Sequence, residues 1–581
     1  MAYATEPVAP TGPSPPVPSI DRSISPWLDR AIASVDRNWR WALAALILLD
    51  AVLLLYMGRG LSFFYDDWNF VTEDYGGGIH SLLRAHVGNI SVFPIAVYKV
   101  LFHLVGLNHY AVFRVVLLSL HLLCGGLVYV LAARRVARVP ALLAAALVLF
   151  LGAAWEDLLW AFQIGYLLSV AGGLAAWVAL ERRGRWSEVA AMLCVVISAG
   201  SSSLGIAVMI GVAVELACGR RWRSIWIVII PVCLYALWYL GYGQSQITEN
   251  GLINAPGFTE DIAAAAFGGL VGRSLEWGRP LALLGVLLVL RRLIRPLPVS
   301  PRLAGLIATA LGLWVITAVA RATITPPEAS RYVYLGAVVI VLAGVELLGE
   351  VTITARATAL ATLLVGFCAL TGLTVLHAGA GFLRTTSETV TAELGALELG
   401  KAYAQPGYQP DPKRAPQILA GPYLHTVLAI GSTPADTPAK IAASDATARA
   451  GADTVLIELG VAKLSPLRAT RPSPLAPAPA TASLLGAHEL QRQGCLRLTP
   501  LAGGSMTGVL TLPTGGVTVR DEGPGPASLA LRRFGETFDP LPSAVGPRSA
   551  SLLSIPADSA QVSWQLQVMS ASPLSICGLL P

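Results

Sequence analysis

Leu61-Ser62-Phe63-Phe64-Tyr65-Asp66-Asp67-Trp68-Asn69-Phe70 sets two adjacent carboxylates among aromatic side chains, directly after an apolar run over 41–58 that ends at Gly58-Arg59-Gly60. A helix needs about 20 mostly apolar residues to cross the hydrocarbon core of a bilayer. The run over 41–58 meets that need, so the paired acids fall at the water–lipid boundary. Working outward, apolar runs recur at 111–133, 140–153, 161–180, 188–201, 203–218, 225–243, 279–290, 303–320, 331–349 and 357–377. They predict a polytopic α-helical membrane protein with about 11 transmembrane helices. Composition agrees: charged residues make up 13% of the chain, against about 25% in soluble proteins, and mean hydropathy is +0.63.

The formal net charge of +6 is a topology signal, not a nucleic-acid footprint. Four arginine clusters lie in short loops between apolar runs: Arg134, Arg135 and Arg138; Arg182, Arg183 and Arg185; Arg220, Arg221 and Arg223; Arg291, Arg292 and Arg295. Short loops rich in Lys and Arg are the cytoplasmic ones. A cytoplasmic N-terminus in the plasma membrane puts all four clusters inside, and puts 65–93, 155–158, 244–277 and 321–330 outside. An odd number of spans leaves everything after about residue 378 outside as well. Residues 1–40 then form a cytoplasmic tail. Its first 25 residues, rich in Pro, Ser and Thr, are expected to be disordered, and 26–39 suits a helix lying on the membrane surface. The apolar run starts too late for a cleavable signal peptide.

Beyond residue 384 no run of lipid length appears. Short alternating stretches at 507–512, 516–520, 527–531 and 561–568, punctuated by Pro and Gly, read as strands. We expect an extracytoplasmic β-rich, sandwich-like domain over 381–581, with a Pro/Ala loop at 472–480. Cys124, Cys194, Cys218, Cys233 and Cys368 lie in or beside apolar runs, as small core residues do. Cys495 and Cys577 lie in the polar region, and its export would make them a disulfide pair.

Charges at a membrane surface are costly unless paired or functional. Adjacent carboxylates repel, which raises at least one proton affinity and suits proton removal from a sugar hydroxyl. The bland alternative is a polar helix cap facing water. The same loop carries His80, Arg84, His86 and Asn89, and phosphate at a lipid surface needs such cationic or N–H donors. An amphipathic stretch over 92–105 suits a surface helix. Trp155-Glu156-Asp157 and Gln163 occupy a second outer turn as candidate sugar or metal contacts. Arg331 and Tyr332 stand at an outer helix end, Arg331 within reach of a donor phosphate. Two ionisable residues lie inside spans, Asp50 and Arg114, at depths too different for mutual pairing.

These residues also match a family pattern. Phe64-Tyr65-Asp66-Asp67-Trp68 after the first span resembles the first external loop of GT-C type glycosyltransferases, as do His86-x-x-Asn89, the surface helix, and Trp155-Glu156-Asp157 with Trp160-Ala161-Phe162-Gln163. The look is that of actinobacterial cell-envelope arabinofuranosyl- and mannosyltransferases. The resemblance covers roughly residues 40–380 in architecture, and only the first loop and second outer turn are specific. It implies a transmembrane catalytic domain over 41–380 and a polyprenyl-phosphate-linked sugar donor. The acceptor would be a cell-envelope polysaccharide or glycolipid, glycosylated with inversion. Asp66 would be the general base, and Asp67 would orient the acceptor or assist a divalent cation. Tyr65, Trp68, His80, Arg84, His86, Asn89, Glu156, Asp157, Gln163, Arg331 and Tyr332 would bind substrate. Some members carry a carbohydrate-binding β-domain at the C-terminus. Other branches have Asp-Glu or Asp-x-Asp where this chain has Asp-Asp, so metal dependence stays open. Two further readings stand beside this one: a lipid or glycan transporter or flippase, and a non-catalytic cell-wall assembly protein. Transporters bind near the midplane and often show internal repeats, whereas here the acids gather in outer loops.

Overall fold

The computed structural model describes residues 26–182, 184–294, 299–349, 351, 353–467, 476–558 and 560–579. The stretch 1–25 and residues 472–475 of the Pro/Ala loop lie outside them. Eight helical stretches among the described residues are long and apolar enough to cross a membrane: Trp39–Met57, Tyr110–Ala132, Arg138–Leu159, Ala161–Leu180, Trp222–Tyr242, Pro301–Arg321, Ser330–Leu348 and part of Ala355–Leu399. The other three apolar runs are also helices, Arg185–Ser201, Leu204–Cys218 and Leu275–Ile294. They are shorter or carry charges at their ends. The protein is a multi-pass membrane protein with a C-terminal β-domain. The surface stretch ahead of the first span is the helix Pro26–Arg37.

Both ends of the bundle are polar. At one end Arg135 pairs with Glu346 at 2.6 Å, Arg302 holds Glu215 at 2.7 Å, and Arg134 meets Glu181. The helix Tyr110–Ala132 leads from this arginine end to the paired aspartates, roughly 35 Å away at 1.5 Å per residue. Within the bundle, Asp50 and Arg114 do not meet. Arg114 donates to the carbonyls of Leu54 (3.0 Å), Gly58 (2.6 Å) and Leu159 (3.2 Å), which ties the C-terminal end of the first span to the Trp155–Leu159 segment. Asp50 Oδ2 lies 3.1 Å from His121 Nε2, and His121 Nδ1 lies 2.8 Å from the Tyr334 hydroxyl.

One loop expected on the outside is not a loop. Within 244–277 the chain forms the helix Glu249–Leu270, masked in the sequence by Asn250, Asn254, Pro256, Glu260 and Asp261. Thr248 caps it, accepting from Gly251 N at 3.0 Å. Its start abuts the Val319 carbonyl and its end abuts Val333. It therefore lies across the aspartate end of the bundle instead of passing through it.

Residues Ala355–Leu399 are one continuous 45-residue helix, so the expected domain boundary at 380/381 falls inside an element. The segment that follows is helical where strands were expected, with Ala420–Ile430, Pro438–Ala443 and Ala446–Glu458. From Lys463 onward the strands appear. A six-stranded antiparallel sheet runs Lys463–Pro466, Ala550–Ile555, Gly515–Asp521, Leu574–Gly578, Cys495–Pro500, Ala487–Arg492, and a five-stranded one runs Ala480–Leu485, Met506–Thr511, Gln565–Ser570, Ser528–Arg532, Asp539–Pro540. Burial alternates along Met506–Thr511 and Gln565–Ser570, as expected when one face meets a core. Cys495 and Cys577 sit opposite each other in register and form a disulfide. Buried Asp453 ties the helical segment to this sandwich, accepting from the backbone N–H groups of Arg533 (2.8 Å), Phe534 (2.9 Å) and Gly535 (2.8 Å).

Candidate active site

The first loop turns sharply at Tyr65, whose φ of +45° is rare for any residue but glycine. Val87, later in the loop, sits at +46°, a genuine outlier for a β-branched side chain. Both line the main cavity, and backbone strain of this kind gathers at functional sites.

The turn sends the two carboxylates in different directions. Asp67 faces the protein interior and is fully buried. It accepts from Phe64 N (3.0 Å), Tyr110 OH (3.1 Å), Trp160 Nε1 (3.1 Å) and Tyr98 OH. Burial pushes its carboxyl up to about 7, against the pull of those four donors. Asp66 lies on the wall of a cavity of about 860 Å³, and Gln417 Nε2 donates to its Oδ1 at 3.2 Å. Burial raises the Asp66 carboxyl above its usual range, while Arg331, the Gln417 bond and Arg321 pull it back.

The rest of the cavity wall mixes aromatic rings with charged groups, Glu156 and Glu328 among them. Phe64, Trp155, Trp160, Phe162 and Phe382 supply rings, and Arg273, Arg321 and Arg331 supply charge. Trp160 stacks on Phe162 with centroids 5.1 Å apart. Gly379 leaves room for the Trp155 ring, which a Cβ there would strike. A smaller cavity of about 280 Å³ shares Asn89, Tyr166, Ser202, Arg321 and Tyr332 with the first. Its remaining wall is largely apolar, including Leu204, Ile206, Leu313, Ile316 and Val319.

Of the residues singled out from the sequence, Tyr65, Asp66, His86, Asn89, Glu156, Arg331 and Tyr332 line the main cavity. Asp67, Trp68, His80, Arg84, Asp157 and Gln163 do not. Trp68 is buried against Phe63 and Tyr423. Arg84 pairs with Glu73 on the surface, and His80 reaches only the Tyr242 hydroxyl, at 3.4 Å. Asp157 and Gln163 are fully buried, with side-chain polar atoms that meet no hydrogen-bond partner among the described residues. His86 is on the wall but brings no charge, because burial and then Arg84 push its imidazole down to about 4. Its Nε2 lies 3.3 Å from Asn69 Nδ2. Among the described residues no three His, Cys, Asp or Glu side chains converge on a common point. With the Asp67 oxygens already occupied by donors, this pair does not fit as a divalent-cation site.

Glu156 and Arg331 are brought together as a clamp. Arg331 donates to Glu156 through Nη1 (3.1 Å) and through its backbone N (2.9 Å), and Glu156 N donates to Ser330 Oγ at 3.1 Å. The clamp joins the Trp155–Leu159 turn to the entry of the Val333–Leu348 helix and sets the Arg331 guanidinium on the cavity wall. Glu156→Ala is expected to lower the thermal midpoint in detergent by an amount equivalent to about 1–3 kcal/mol, and Glu156→Gln, which keeps the backbone bond, by clearly less. A melt of both variants by intrinsic fluorescence checks this. Arg273, Arg321, Gln417, Tyr166 and Phe382 complete the wall. Nothing local marks Gln417, which lies 351 residues from Asp66 in sequence.

No protein-family model and no curated protein matches the chain. Two solved structures are similar to it, both of ArnT from Cupriavidus metallidurans. The form bound to undecaprenyl phosphate aligns at 14% identity and a TM-score of 0.42, covering 67% of this chain and 85% of that one. The apo form aligns at 11% identity and the same TM-score, covering 64% and 81%.

Proposed function

We propose that the protein is an inverting glycosyltransferase. It would move a pentose or hexose from a polyprenyl-phosphate donor to a hydroxyl of a cell-envelope glycan or glycolipid, on the outer face of the membrane. The observation that supports this most is Asp66: a partly buried carboxylate on the wall of a cavity whose other charged groups are three arginines and two glutamates, one of which, Glu156, is paired with Arg331. Its size falls in the range of small-molecule sites, about 300–1,000 Å³.

The chemistry follows from that wall. Asp66 takes the proton of the acceptor hydroxyl as the acceptor oxygen bonds to the anomeric carbon. The bond from that carbon to the phosphate oxygen breaks on the opposite face, and its electron pair leaves with the polyprenyl phosphate. Arg273 and Arg321 meet the growing negative charge, with Arg331 held nearby by Glu156. Arg321 is positioned by one bond to the Val87 carbonyl at 2.9 Å. The apolar side cavity suits the first isoprene units. Aromatic faces beside Asp66 suit sugar rings, and the resemblance of the first loop to arabinofuranosyl- and mannosyltransferases suggests arabinofuranose or mannose as the sugar. A transporter would need its polar groups near the midplane, but the charged groups on this cavity wall come from the loop ends of the helices.

The test is sugar transfer by the full-length protein in lipid nanodiscs, from decaprenyl-phosphate-linked arabinofuranose or mannose to alkyl glycosides. Asp66 works as the charged form, and its raised pKa means that acid neutralises it earlier than an ordinary aspartate. The rate should therefore fall on acidification with a limb above the usual Asp value of about 3.9. A pH–rate profile flat down to that value would sink the assignment of Asp66 as base.

A further inference from the structure

The bond from Gln417 to Asp66 does more than hold the carboxylate. Gln417 follows a tight turn in which Asp411 accepts from Lys413 N (3.0 Å), Arg414 N (2.9 Å) and Arg414 Nη1 (3.0 Å). Ala415 and Ile418 on either side are buried, and Gln409 Nε2 donates to the Pro416 carbonyl at 3.0 Å. The backbone around Gln417 is thus fixed. Its amide nitrogen is committed to Asp66 Oδ1. Its amide oxygen is buried and meets no donor among the described residues, although the residue lines the main cavity. Buried polar atoms of native proteins are hydrogen-bonded as a rule, so a buried acceptor beside a cavity calls for a donor on a ligand.

The hydrogen bond that joins the amide to the carboxylate uses one atom of each and leaves each an acceptor oxygen, Gln417 Oε1 and Asp66 Oδ2, on two residues that both line the cavity. On the transferase reading above, we infer that Gln417 is a specificity-determining residue that selects acceptors with a vicinal diol. One hydroxyl gives its proton to Asp66 and attacks the anomeric carbon, while its neighbour donates to Gln417 Oε1. The amide takes no proton, so Gln417 positions the acceptor and is not a base. The segment after the long Ala355–Leu399 helix is therefore part of the acceptor site.

The experiment uses the full-length protein in nanodiscs with the two decaprenyl donors. Octyl α-mannopyranoside and octyl α-arabinofuranoside serve as acceptors, each compared with its monodeoxy analogues. A site built to bind a hydroxyl strongly rejects the analogue that lacks it. The wild type should favour a diol over the analogue that lacks only the non-attacking hydroxyl by about 10–100-fold in kcat/KM, and Gln417→Leu should remove most of that preference. Gln417→Glu keeps an acceptor oxygen and places a second negative charge beside Asp66. It should keep the diol preference while moving the acid limb of the pH profile upward. A wild type indifferent to the missing hydroxyl, or a Gln417→Leu enzyme with unchanged preference, overturns the inference while the transferase reading stands. Absence of transfer by the wild type, or full transfer by Asp66→Asn, overturns both. A thermal melt of each variant separates misfolding from altered selection.

Discussion

Asp66→Asn should cut turnover by about 10²–10⁴-fold, the usual contribution of a positioned general base, while donor affinity does not fall. The substitution removes the group that accepts the acceptor's proton but keeps its size and its place beside Gln417. The arginines that would meet the phosphate are untouched, and losing the negative charge that Arg331 and Arg321 act on leaves them freer to bind it, so ground-state binding of the lipid donor should hold or tighten. The measurement pairs initial rates of sugar transfer with equilibrium binding of the decaprenyl-linked donor to the same preparations. A variant that still turns over at a third of the wild-type rate would remove Asp66 from the mechanism. Equal loss of binding and rate would instead make it a donor-binding group.

The neighbouring residue should behave in the opposite way. Asp67→Ala strips the acceptor from Phe64 N, Tyr98 OH and Tyr110 OH, whereas Trp160 Nε1 keeps a second acceptor, the Phe64 carbonyl at 3.0 Å. Each buried donor left unsatisfied costs about 1–3 kcal/mol, and the two tyrosine hydroxyls can turn to soften the loss. A net destabilisation of about 3–5 kcal/mol follows, a fall of about 10 °C in thermal midpoint. Any loss of activity should track the loss of folded protein, and activity per folded molecule should be recovered at low temperature. Asp67→Asn keeps one acceptor oxygen but turns an –NH2 group toward donors, so it should fall between wild type and alanine. The contrast is measurable: Asp66→Asn inactive with an unchanged melt, Asp67→Ala unstable. A stable but inactive Asp67→Ala protein would return Asp67 to the chemistry.

The two aspartates show where local reading stops. Adjacent in sequence, equal in chemistry and flanked by the same aromatics, they differ in which way the Tyr65 turn points each carboxyl. That direction is decided by Tyr98, Tyr110 and Trp160, which lie on three other elements. The same holds for Arg331: its place at a helix end was visible, but the clamp to Glu156 joins segments 175 residues apart. Arg84 and His80 share the loop of Asp66 and yet face the surface, because a loop's sequence does not say which side of it meets a cavity.

Apolar length and strand alternation are properties of the chain over one or two dozen residues, and they suffice for the membrane spans, the arginine-rich end and four strands of the sandwich, those that overlap 507–512, 516–520, 527–531 and 561–568. They miss the helix Glu249–Leu270 because its polar and proline residues break the hydropathy signal, while packing across the neighbouring helices still holds it in place. Gln417 reaches Asp66 only once the 45-residue helix has carried the chain out of the bundle and the segment after it has folded back. Such a contact has no periodicity or spacing to betray it. It exists because two distant surfaces bury each other, and burial is settled by the assembled molecule.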